Sequence, residues 1–376
     1  MLRSRLFSAV LALCAALPLS NTVVHAAEAG RTTPANTPLI ASTADELEKS
    51  ADFVANDFHF SDGTTLPEVK IHYVTVGKPQ RDSQGRISNA VLLMHGTTSS
   101  SKEFLTPLMR RELYAPGQPL DANRYFIVIP DGLGRGGSSK PSDGMGIHFP
   151  HYGYGDVIRA NHQLLVKGLH ITHLRLVLGV SMGGMQTWMW GERYPDMADA
   201  LMPIVSQPIP IAGRNWLWRQ MVIGAIRNDP DWHGGDYIKA PTQWLRIMPI
   251  FAVLTVNPAR MQEQAPTREA ATALYDGLIQ EGSKNDANDV LYWFESSWDY
   301  NPSTQLDKIR AKVLAVNFDD DLLNATDSGV MQRLIPLIPQ GRYVEVPESA
   351  EHSFGHQTQA HPEAWKYYLS QLLEEH

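Results

Sequence analysis

Ser181 is the residue of this chain best placed to do chemistry. It lies in Leu178-Gly179-Val180-Ser181-Met182-Gly183-Gly184-Met185-Gln186, after the apolar run Leu174-Arg175-Leu176-Val177 and before a helix-like segment from Thr187 to Arg193. A Gly-x-Ser-x-Gly run between a strand and a helix forces the serine into a sharp, strained turn with its hydroxyl projecting. Gly179 and Gly183 flank it because a Cβ at either place would collide with the neighbouring backbone. At the start of the helix, backbone N–H groups are available to stabilise negative charge. A serine hydroxyl is a poor nucleophile until a base takes its proton. Two downstream segments carry the groups needed, Asn317-Phe318-Asp319-Asp320-Asp321-Leu322 and Ser349-Ala350-Glu351-His352-Ser353-Phe354-Gly355-His356. A histidine would shuttle the proton and an aspartate would orient its imidazole. His356 is preferred over His352 because Gly355 suits a tight loop that aims the ring inward. The residues alone leave open which of the three adjacent aspartates serves.

An oxyanion needs two donors. One is the N–H of the residue after the nucleophile, Met182. The other is expected from Thr97, in His95-Gly96-Thr97-Thr98-Ser99-Ser100. Each such donor contributes roughly 3 kcal/mol of transition-state stabilisation.

These groups can meet only if strand ends bring them together. Short, nearly continuous apolar runs at 90–94, 125–129, 174–178, 200–205 and 311–316 have the character of strands buried on both faces, and 342–346 is a last candidate. Helices are expected at 156–168 and 325–338. Alternation of this kind implies an α/β fold with a mostly parallel central sheet. Near the N-terminus, Phe58-His59-Phe60 and the run from Val69 to Val76 flank Asp62-Gly63 and predict an antiparallel pair. Residues 208–301 break the alternation and hold Trp216, Trp218, Trp232, Trp244, Trp293 and Trp298, so an inserted, mainly helical lid is expected there. Most of these tryptophans are expected to pack the lid on the core. The reading divides the chain into a leader (1–26), a flexible arm (27–51), a core in two parts (52–207 and 302–376) and the lid (208–301).

The leader rests on Arg3 and Arg5 before an apolar stretch from Leu6 to Leu17, followed by Val24-His25-Ala26 as a small-residue cleavage site. That order predicts a secretory signal peptide and a periplasmic or secreted protein. The run is too short for a membrane-spanning helix, so no stable membrane insertion is expected after cleavage. The chain's single cysteine, Cys14, lies inside it. Cleavage would therefore leave no disulfide, thiol nucleophile or cysteine metal site. A formal net charge of −8 without a Lys/Arg-rich run argues against nucleic-acid binding. No metal spacing or cofactor motif stands out, and a small acyl substrate is the expected partner.

The run Gly179-Val180-Ser181-Met182-Gly183-Gly184-Met185-Gln186 resembles the elbow of homoserine O-acetyltransferases and their α/β-hydrolase relatives. The resemblance continues in Phe149-Pro150, in 156–160, in Arg193-Tyr194-Pro195 and in the stretch from Asp229 to Tyr237. It implies an α/β-hydrolase fold with Ser181 as nucleophile, His356 as base, and Thr97 and Met182 as oxyanion amides. Asp321 is implied as the acid because Leu323 follows it at the family's spacing, with Asp320 second. A homodimer through the lid is implied by the resemblance only. Three features depart from the acetyltransferases. The chain looks exported, and exported proteins do not meet cytosolic acyl-CoA. Ile223 or Gly224 stands where the lid helix of the acetyltransferases has an arginine, with Arg219 and Arg227 nearby. The stretch from Asp131 to Gly137 differs from the family's usual loop. Hydrolysis of an ester or related acyl compound is accordingly the first expectation. Acyl transfer to an alcohol is the alternative, and a catalytically silent binding protein is a second one.

Overall fold

The continuous apolar runs form the middle of one eight-stranded sheet. The computed structural model describes residues 47–374; the expected leader and the arm up to residue 46 lie outside them. The strands are β1 (Lys49–His59), β2 (Thr65–Val76), β3 (Ala90–Met94), β4 (Phe126–Pro130), β5 (Leu176–Val180), β6 (Ala200–Ile204), β7 (Lys312–Phe318) and β8 (Gly341–Val346). Their order is β1-β2-β4-β3-β5-β6-β7-β8. β2 runs antiparallel to β1 and β4, and every pairing from β4 to β8 is parallel.

Alternate residues of the central strands feed two cores. Leu92, Met94, Val128, Val177 and Val313 belong to one apolar layer, and Leu93, Ile129, Leu178, Met202 and Val316 to the other. Parallel strands covered on both faces explain why these segments lack polar alternation. Between them run α1 (Tyr154–Gln163), which continues into a wider turn over Leu164–Gly168, and α2 (Met182–Arg193), which packs on β5 and β6.

Two expectations shift. β1 starts at Lys49, inside the stretch read as arm, because its partner is a backbone ladder that begins at Lys49 opposite Thr75. Most of its side chains are exposed, so it carries little apolar signal. The single helix expected over 325–338 is broken into a turn at Thr326–Ser328, α8 (Val330–Leu334) and a turn at Ile335–Leu337. Gly329 at φ +66° and Pro336, which has no N–H, interrupt it.

Between β6 and β7 the chain leaves the sheet for α3 (Gly213–Arg227), α4 (Pro249–Thr255), α5 (Pro258–Gln264), α6 (Arg268–Gly282) and α7 (Ala287–Glu295). This segment has its own apolar cluster around Trp218, Trp232, Trp244, Trp293 and Phe294. Trp216 and Trp298 are exposed. Trp293 also reaches the core, donating from Nε1 to the Gly134 carbonyl at 2.8 Å.

Candidate active site

Ser181 stands between the end of β5 and the first turn of α2 at φ +54°, ψ −113°. A non-glycine residue there costs on the order of 1–3 kcal/mol and persists only where its surroundings enforce it. The enforcement is visible. A Cβ on Gly179 would lie 2.0 Å from the Gly183 carbonyl oxygen, and one on Gly183 would lie 1.9 Å from that of Met94. The Ser181 N–H donates to the Ile204 carbonyl at 3.0 Å, which fastens the elbow to the end of β6.

The other two groups arrive from β7 and β8. Ser181 Oγ is 2.8 Å from His356 Nε2, and His356 Nδ1 is 2.8 Å from Asp321 Oδ2. With Nδ1–H donating to the carboxylate, Nε2 is free to accept the serine proton. Asp321 is also held by the Leu323 N–H and by the Asn324 amide, each at 2.8 Å. Burial works to raise its pKa, but His356 and these donors outweigh it and hold the carboxyl below the usual value. Asn324 donates again to the carbonyl of Val205, itself at φ +46°.

Asp320 faces elsewhere. Its Oδ2 accepts from the Gly355 N–H at 2.6 Å and from the Asn257 amide at 2.8 Å, so it holds the loop that carries His356. Gly355 is at φ +70°, and a Cβ there would lie 2.8 Å from the Asn257 nitrogen and the Thr255 oxygen. His352 is exposed beside Glu351 and takes no part in the cluster.

The loop after β3 lies against the elbow: a Cβ added to Gly96 would be 3.6 Å from Ser181 Cβ. Three buried side chains fix its backbone. His95 Nε2 accepts from the Gly132 N–H at 2.9 Å, which puts its proton on Nδ1, and Nδ1 donates to the Gly96 carbonyl at 2.8 Å. Burial pushes His95 down to about 4, so it stays neutral at ordinary pH. Glu103 Oε2 accepts the Gly96 N–H at 2.7 Å. Arg135 Nε donates to the Thr97 carbonyl at 2.7 Å, while its guanidinium stacks 4.6 Å above the Trp293 ring. Among the described residues, neither the Thr97 nor the Met182 N–H donates to a protein acceptor. Gly96, its N–H occupied, is not a candidate donor.

Beside this loop opens a cavity of about 600 Å³, with Thr98, Glu103, Arg135, Asp289 and Trp293 among its lining. Two of the three arginines of α3 have partners of their own. Arg219 is buried, bonded to Asn215 and the Phe294 carbonyl, and Arg227 pairs with Glu295. Two acids from the stretches that carried the family resemblance brace the scaffold. Asp156 accepts from the Gly153 and Ser61 N–H groups at the start of α1, and Asp229 accepts from the Trp244 and Asp231 N–H groups. Glu103, Arg135 and Asn324 were not singled out from sequence. No motif marks them, and their significance lies in burial and contact alone.

A family model described as alpha/beta hydrolase fold matches residues 89–356. A probable acyltransferase of Methanothermobacter thermautotrophicus is 29% identical over 289 residues, covering 76% of this chain and 87% of that protein. A homoserine O-succinyltransferase of Magnetococcus marinus is 36% identical over 194 residues; the chain spans about half the length of that relative, 48%. Among solved structures, homoserine O-acetyltransferase from Bacillus anthracis superposes with a TM-score of 0.75 at 21% identity, covering 87% of this chain and 98% of that one. Esterase E22 gives 0.74 at 20% identity, covering 87% and 100%. At these identities the two superpositions speak for the fold alone.

Proposed function

The chain belongs to the alpha/beta hydrolase fold family, and from that membership we propose a serine-dependent acyl-transfer enzyme whose nucleophile is Ser181. The observation that carries the proposal is the hydrogen-bonded chain from Ser181 through His356 to Asp321, beside two amides with no protein acceptor among the described residues. In the first step the Ser181 oxygen bonds to the acyl carbon as His356 Nε2 takes the hydroxyl proton. The carbonyl oxygen becomes an oxyanion facing the Thr97 and Met182 N–H groups. Collapse of the intermediate expels the leaving group with the proton from His356, which leaves an acyl-serine. An acceptor hydroxyl then gives its proton to His356 and bonds to the acyl carbon; the bond from that carbon to the Ser181 oxygen breaks, and His356 returns the proton to Ser181.

For the acceptor we propose an alcohol of the homoserine kind, a reading supported by curated relatives named as acyltransferases. Hydrolysis is the second reading, and one observation favours it. Arg219, the buried guanidinium of α3, already donates to Asn215 and Phe294 and stacks against aromatic rings, so it is not free for an acceptor's carboxylate. A cleaved leader would favour hydrolysis as well, because an exported enzyme does not meet acyl-CoA. The deciding experiment follows the acetyl group of p-nitrophenyl acetate with and without homoserine. O-acetylhomoserine formed at the expense of acetate supports transfer; free acetate in both cases supports hydrolysis. N-terminal sequencing of the mature protein tests the export proposal. Loss of turnover in Ser181→Ala, with an unchanged circular dichroism spectrum, is expected under either fate; unchanged turnover would overturn both. A dimer through the lid is proposed on the exposed Trp216, Leu217 and Met221 of α3, and sedimentation equilibrium tests it.

A further inference from the structure

Glu103 is a buried acid that the acyl-transfer steps above do not use. It lies on the short turn Ser101–Leu105, with only 3% of its surface exposed. A carboxyl group removed from water is costly to ionise unless it is well bonded. Both of its oxygens are bonded to segments that frame the site. Oε2 accepts the Gly96 N–H at 2.7 Å, and Oε1 accepts the Gln359 amide at 3.3 Å. Gln359 belongs to the turn Gln357–Ala360 that directly follows His356. Glu103 therefore bridges the loop that carries Thr97 and the turn that carries His356. The geometry is close: a methyl built on Gly96 would touch Glu103 Oε2 at 3.5 Å, Gln359 Nε2 at 3.6 Å and Ser181 Cβ at 3.6 Å.

We infer that Glu103 is a positioning residue for acyl transfer, and that its ionised form holds the Gly96 amide plane so that the Thr97 N–H faces the developing oxyanion. The inference rests on the acyl-transfer reading of Ser181. The physical reason is that an N–H bond to a carboxylate is roughly twice as strong as one to a neutral acceptor. Protonation of Glu103 weakens the tie to Gly96 while leaving the fold in place. It also removes a negative charge near His356, whose imidazolium forms as Ser181 is deprotonated. His356 faces Glu103 from the turn after β8, and Lys102, Arg135, Lys140, Lys284, Asp286 and Asp289 share the cavity it lines. Burial raises the carboxyl to about 7, against the lowering effects of the Gly96 N–H and His356. Among the described residues the Gln359 oxygen has no partner, so a turn of that amide would offer an acceptor to the protonated acid. The site thus has a buried acid whose proton must leave before the enzyme is fully active.

The test is the acid limb of kcat/KM for p-nitrophenyl acetate, measured from pH 5 to 9 on wild type, Glu103→Gln and Ser181→Ala. Protonation of Glu103 gives the wild type an acid limb steeper than a logarithmic slope of one over about one pH unit, and Glu103→Gln, isosteric and uncharged, a slope no steeper than one. The variant should also lose about tenfold in kcat with KM changed less than threefold, since alignment of an oxyanion donor acts on the transition state. A slope of one in wild type, or the same slope in wild type and Glu103→Gln, overturns the inference. A merely structural Glu103 would lower Tm without moving the slope. Should Glu103→Gln not fold, Gln359→Leu serves instead. It removes a donor to the carboxylate, so the steep region should move to higher pH, and an unmoved limb counts against the proposal. Turnover surviving in Ser181→Ala would instead sink the acyl-transfer reading itself, a distinguishable result.

Discussion

At the scale of single residues, Asp320 and Asp321 show why adjacency in sequence says little about role. Asp321 accepts from His356 Nδ1, while Asp320 accepts from Gly355 and Asn257 on the loop that presents the histidine. Asp321→Asn should preserve the fold and lower kcat by about 10⁴-fold, because an amide no longer holds the imidazole in the tautomer that accepts the serine proton. Asp320→Ala should act differently, with a lower Tm and a kcat loss nearer tenfold from a displaced histidine loop. Comparing kcat and thermal melts of the pair separates the two roles. Ser181 was legible because its turn admits few residue types at the neighbouring positions. The two aspartates were not distinguishable from spacing within the chain, since they differ only in the direction each side chain takes after β7. Glu103 and Arg135 were illegible for another reason: an isolated Glu or Arg in a polar loop carries no sequence sign of being buried.

At the scale of elements, α2 starts beside Ser181 at one end and stores an electrostatic cost at the other. Glu192 lies in its last turn, where the helix dipole disfavours a negative charge. Burial raises it to about 8, and its Oε1 has no partner among the described residues. Between its ordinary value and about 8 the native protein keeps a proton that the unfolded chain releases, so stability falls as pH rises through this window. Glu192→Gln should therefore raise Tm more at pH 8.5 than at pH 5; an equal shift at both would refute the assignment. Gly183→Ala should fail to yield soluble protein, because its Cβ has no space beside the Met94 carbonyl, and expression trials check this. The buried parallel strands were readable from their apolar runs, with limits within a residue or two. β1 was only partly readable, because main-chain bonds rather than an apolar face define where it starts.

At the scale of the whole molecule, α7 carries several of the ties between lid and core. Tyr292 donates to the Phe149 carbonyl, Trp293 to the Gly134 carbonyl, and Asp289 accepts twice from Ser142. Trp293→Phe keeps a ring face for Arg135 but loses the bond to Gly134, a change worth about 1 kcal/mol. Limited proteolysis should then cut faster between β6 and β7, with the core melt nearly unchanged. Unaltered cleavage would mean that the other ties suffice. The apolar runs implied the layered α/β architecture, whereas the packing of the lid depends on tryptophans whose partners are remote in sequence. One consequence concerns biosynthesis. Ser181, Asp321 and His356 follow β5, β7 and β8, and the histidine comes from the last strand of the sheet. A growing chain holds its serine long before it has the base that activates it. On the acyl-transfer proposal, turnover can begin only once the last strand of the described sheet has docked, so the serine stays inert on the growing chain until then.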